Sequence, residues 1–75
     1  MSNNPDVVAA CAAVAAVRGR HHDAASLYRE AARLYRSVAA SMPGSLGETL
    51  YVALANHAEN MADHYDNQAI GGDNE

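Results

Sequence analysis

Apolar positions in this chain recur at helical spacing in two regions and run unbroken through a third. Ala24, Leu27, Tyr28, Ala31, Leu34, Tyr35 and Val38 follow an i, i+3, i+4, i+7 pattern for more than three turns, which predicts an amphipathic helix. Small residues (Ala24, Ala31) alternate there with large ones, so a neighbouring helix can sit close. Leu50, Tyr51, Leu54, Ala58, Met61, Ala62 and Tyr65 form one face of a second such helix. From Val7 to Val17, by contrast, every residue is apolar. A helix apolar on all sides is normally buried on all sides, and a three-helix chain cannot bury every side of its first helix. Either Ala9, Ala13 and Ala16 are plain exposed alanines, or Val8, Ala9, Ala13 and Val17 cover a second surface. Val52 is a misfit of the same kind, off the apolar face and beside Asn56 and Glu59.

Punctuation sets the limits of the helices. Asn4-Pro5-Asp6 reads as a helix start, with Asn as N-cap, Pro in the first turn and Asp at the positive end of the dipole. Helix 1 then spans about 5–18, and Gly19 stops it. Asp23 is the expected cap of helix 2, about 24–42, which Pro43-Gly44 ends. Ser45 to Glu48 has the form of a capping box, opening helix 3 at about 46–70, with Gly71-Gly72 as its end. Residues 1–4 read as a polar leader and 71–75 as a disordered tail. Short links make successive helices antiparallel, so the expectation is a single all-α domain, 5–70, of three antiparallel helices.

Length and charge narrow the function. A domain of 75 residues buries roughly 60% of its unfolded surface, and its core supplies only about 3–5 kcal/mol. The lone cysteine, Cys11, excludes an intrachain disulfide and reads as a small buried hydrophobe. Oligomerisation is the staple that remains. The net charge of -4 argues against nucleic acid and anionic membranes. Val7–Val17 falls short of the ~20 apolar residues needed to span a bilayer, and the N-terminus lacks the basic region of a signal peptide. The expected location is cytoplasmic. All basic residues are Arg, and Ala is the commonest residue, a usage typical of a GC-rich bacterial genome.

Two charge stripes have i, i+4, i+7 spacing: Arg29, Arg33 and Arg36 on helix 2, and Glu59, Asp63 and Asp66 on helix 3. They are either two solvated faces or faces that meet, within one chain or between two. His21, His22, His57 and His64, with Asp23, raise a zinc alternative. They lack the i, i+4 pair of a single-helix site and a cysteine partner, so the expectation is no metal and no cofactor. Ser26, Ser37, Ser41 and Cys11 have no evident base and carboxylate around them, which predicts a protein that is not an enzyme.

Gly19, His21, Ala24, Tyr28, Ala31 and Ala32 together resemble the helical hairpin of the tetratricopeptide family, whose helix-turn-helix repeats bind peptides. Val8, Cys11, Ala12 and Ala15 occupy that pattern's first helix, with Val8 at the position of the hallmark Trp. Tyr51, Leu54, Ala55 and Ala58 fit a first helix again, so the match spans about one and a half repeats. The resemblance implies a TPR-like hairpin with a capping third helix. It implies a groove between helices 1 and 3, lined by Asp6, Ala9, Ala13, Ala16 and Val17 on one side and Thr49, Val52, Asn56, Glu59 and Asn60 on the other. It also implies charge stripes that point apart within one chain. The functional expectation is a non-catalytic protein–protein interaction module, self-associating as a dimer. Ala9, Ala13 and Ala16 would let two copies approach, with Val17 and Val52 at the rim.

Overall fold

The computed structural model describes residues 4–73, which form α1 (Pro5–Val17), α2 (His21–Ala40) and α3 (Leu46–Asp73). No strand occurs among the described residues, so the fold is all-α with three helices. Residues 1–3 and 74–75, parts of the expected leader and tail, lie outside the described residues.

Local chemistry accounts for most of the boundaries. The Asn4 side chain accepts a hydrogen bond from the Asp6 amide at 2.8 Å, and Pro5 opens α1. The C-terminal end of α1 is a Schellman turn: the Arg20 amide bonds the Ala15 carbonyl at 2.9 Å and the Gly19 amide that of Ala16 at 3.0 Å. Gly19 takes the positive φ (78°) this turn requires. That tight turn lets α2 begin at once, with Arg20 as a cap that makes no side-chain bond. Asp23 is therefore not the N-cap; it lies in the first turn, where its charge still suits the dipole. At its other end α2 stops at Ala40, ahead of the expected Met42. Met42 precedes Pro43, whose ring disfavours a helical conformation in the residue before it. The Ser45 hydroxyl caps the Glu48 amide at 3.1 Å, while the Glu48 carboxylate accepts from the Gly44 amide at 2.8 Å, one residue before the cap. Gly71 and Gly72 do not end α3, which continues to Asp73. A helical glycine costs only about 1 kcal/mol relative to alanine, and no proline follows to enforce a stop.

The helices lie side by side in a slab of 47 × 24 × 13 Å. Helix α2 occupies the centre and packs on both neighbours, whereas α1 and α3 meet only marginally. A central helix needs two buried faces, and α2 has them. Ala24 and Ala31 lie on one; Ala25, Ala32 and Ala39 lie on the other, three or four residues from Arg29 and Arg36. Among the described residues the buried hydrophobic set is ten alanines and Tyr35. Ala12 and Ala15 come from α1, and Ala55, Ala58 and Ala62 from α3. The helices thus close through alanine seams, with Tyr28, Tyr51 and Leu54 packed half-buried around them. Two expected core positions differ. Leu50 is exposed, because the inward face of α3 centres on Ala55, Ala58 and Ala62. Cys11 is exposed too, because Ala12 and Ala15 form the inward face of α1 and Cys11 falls beside it.

Candidate interaction surfaces

On one face of the slab the two charge stripes meet within the chain. The Arg29 guanidinium donates to Asp66 at 2.6 Å and to Asp63 at 3.3 Å. Arg36 pairs with Glu59 and also donates to the Asn56 side-chain oxygen at 3.2 Å. Arg33 is left out and pairs with Glu30 on its own helix. Antiparallel α2 and α3 bring every second turn of one stripe opposite the other. The turn between carries Arg33, which borders the same trough but is taken up by Glu30. The hydrogen bond from Arg36 holds the Glu59 carboxyl below the usual carboxylate range, and the one to Asp66 raises Arg29 further above its ordinary value. An open trough of about 570 Å³ runs over these residues. Its cations are already paired with its carboxylates, so it offers no free charge to a ligand.

The opposite side of the α2–α3 seam is aromatic. Tyr65 stacks between His21 and Tyr28, each at 5.8 Å between ring centroids, and His64 meets it edge-on at 4.9 Å. Tyr35 lies 6.0 Å from Tyr51, and its hydroxyl donates to Asp6 of α1 at 2.7 Å. Burial first, then the hydrogen bond to Asp6 and the charge of that carboxylate, push the Tyr35 phenol up to about 12. Burial, reinforced by Tyr65, raises Tyr28 as well. Sequence reasoning missed this ladder, although His21, Tyr28 and Tyr35 stand seven residues apart, and so do Tyr51, Ala58 and Tyr65. Two of the four histidines, His21 and His64, are thereby engaged on Tyr65, while His22 and His57 are exposed. Among the described residues no three His, Cys, Asp or Glu side chains gather as metal ligands would.

The residues expected to bind a partner do not line one groove. Asn56 and Glu59 are held by Arg36 of α2, and α2 separates α1 from α3. Ala9 turns inward against the core and Ala16 is half-buried, whereas Ala13 and Val17 face out. Val52 continues the acidic stripe of α3 toward its N-terminus and is 39% exposed.

What α1 does present is an outward sector of Val7, Ala10, Cys11, Ala13, Val14 and Val17, all exposed. Val17 is 87% exposed, and Val7 and Val14 are each about half exposed, at 55% and 51%. Beside it an open trough of about 420 Å³ separates α1 from α2, with Cys11, Val14 and Leu27 as its apolar floor and Arg18, Arg20 and Asp23 at one end. Neither Arg18 nor Arg20 belongs to an ion pair among the described residues. Among those residues no helix is long and apolar enough to cross a membrane.

No family model, curated protein or solved structure matches this chain.

Proposed function

We propose that this protein is a non-catalytic protein–protein interaction module that self-associates through the outward face of α1. One observation carries the reading: α1 is an edge helix whose solvent-facing sector from Val7 to Val17 has no polar residue. Contiguous exposed apolar surface on a small chain marks an interaction site more often than it marks idle surface. The resemblance of the α1–α2 hairpin to the tetratricopeptide unit supports the same class of work, presentation of helix faces to other proteins. The charged trough is internally neutralised, and His21 and His64 pack on Tyr65 with no third His, Cys, Asp or Glu gathered beside them among the described residues, so neither favours a catalytic alternative. The setting consistent with the reading is a reducing cytoplasm, where the exposed Cys11 thiol stays reduced.

Analytical ultracentrifugation over a concentration series tests the proposal. The wild-type chain should pass from monomer to dimer mass with a dissociation constant on the order of micromolar, as a small interface allows. Val14→Glu should stay monomeric, with unchanged helicity by circular dichroism because Val14 lies outside the core. A wild-type protein that remains monomeric at high micromolar concentration refutes self-association.

A further inference from the structure

The outward sector of α1 contains a seam with a defined register. Val7, Ala10, Val14 and Val17 are spaced 3-4-3, the a/d spacing with which one helix packs knobs into the holes of another. All four are exposed. Resting on the self-association proposed above, we infer that the occupant of this face is α1 of a second copy, running antiparallel, with the two-fold axis at the level of Ala12.

Shape and charge select this arrangement. With the axis at Ala12, Val7 meets Val17 of the other copy and Ala10 meets Val14, so each small residue faces a large one. A parallel pairing sets Ala10 against Ala10 and leaves a gap at mid-seam. The two ends of α1 carry opposite charge. Asp6 stands at the N-terminal end, its carboxylate bonded only to the Tyr35 hydroxyl among the described residues. Arg18 and Arg20, without ion-pair partners among those residues, stand at the C-terminal end with Asp23 of α2 near them, a balance that stays positive. Asp6 and Arg18 lie about 18 Å apart along their own helix, beyond the ~8 Å screening length at physiological salt. The antiparallel register brings Asp6 of each copy to the level of Arg18 of the other, while a parallel one brings like charges together.

The patch is short and built of small side chains, so the dimer it supports is a weak one. Two-fold symmetry buries the same patch on both copies and leaves no further α1 face to propagate.

The test combines sedimentation with alkylation of Cys11, which flanks the seam. In wild-type protein the rate of Cys11 alkylation by iodoacetamide should fall several-fold as concentration rises through the monomer–dimer transition. Arg18→Ala/Arg20→Ala should weaken the dimer several-fold, and added salt should weaken the wild-type dimer in the same direction. These arginine side chains are exposed, so the variant keeps its fold. Parallel pairing predicts the reverse sign, a tighter dimer once the facing arginines are gone, and that result overturns the register. Dimer mass with an alkylation rate indifferent to concentration overturns the α1 interface while leaving self-association intact. Failure of any dimer to form overturns both.

Discussion

The two seams on either side of α2 are built from the same residue and held in different ways. Toward α3, the alanines that bring the backbones together are flanked by arginine–carboxylate pairs on one face and stacked rings on the other. Toward α1, Ala12 and Ala15 close the seam, and one side-chain bond between the helices, Tyr35 to Asp6, is present among the described residues. Alanine buries little area per residue, so a seam of alanines sets distance more than it supplies stability. The polar and aromatic flanks then decide how firmly each neighbour is held. Helix α3 is fixed in register at several levels along its length. Helix α1 is fixed near its N-terminus and by the Schellman turn at its other end, and its free side is apolar.

The largest expected effect comes from the residue that spans both seams. Tyr35 is the only large side chain in the buried hydrophobic set of the described residues, touching Asp6 on α1 and Tyr51 on α3. Tyr35→Ala should cost about 3–5 kcal/mol, comparable with the whole stability of so small a domain, and a thermal melt followed by circular dichroism should lose its cooperative transition. The same residue sets an alkaline limit. Its folded-state pKa of about 12 lies above the ordinary 10.0, so its contribution is complete below pH 10 and is lost as pH rises through 12. A Tyr35→Phe variant should show a shallower alkaline decline.

Overpacking each seam separately tests whether they are unequal. Ala12 and Ala62 are both fully buried, one in each seam. A leucine at either position should cost about 1–3 kcal/mol. Ala62→Leu should lower the transition of the whole molecule. Ala12→Leu should release α1 alone, read as fast amide exchange from Val7 to Val17 with α2 and α3 still protected. Equal loss of protection in all three helices after Ala12→Leu would break the comparison.

The smallest effect belongs to the exposed ion pairs. Arg29→Gln/Arg36→Gln should lower the melting temperature slightly, and the difference from wild type should vanish near about 1 M salt, where the screening length is ~3 Å. Because Arg36 holds Glu59 below its ordinary value of 4.5, that contribution is present above pH 4.5 and disappears as pH falls below it. The variant and the wild type should therefore converge in acid.

Much of this was legible in the residues. Asn4-Pro5, Gly19, Pro43-Gly44 and Ser45 announce the helix ends within about two residues, because caps and turns depend on the backbone needs of single residues. The apolar stripe of α2 was legible for the same local reason. The role of Tyr65 was not, since a stack between helices depends on which turn of α3 stands beside which turn of α2. The fate of the charge stripes was equally hidden: spacing put three arginines on one side, and only the seam with α3 engaged Arg29 and Arg36 while passing over Arg33.

Sequence alone determined that the chain is three helices with short turns, that its first helix has more apolar surface than such a chain can cover, and that its charges lie in stripes. Periodicity and capping are properties of one segment at a time, so they are written in the order of residues. Tertiary structure decided that α2 lies in the middle and keeps α1 and α3 apart. It turned Ala9 inward, half-buried Ala16, and left Val7, Val14 and Val17 facing out. The physical reason is that an all-apolar helix carries no polar residue to say which side faces water. Only the position of its neighbours chooses the buried side, and that choice placed the candidate interface.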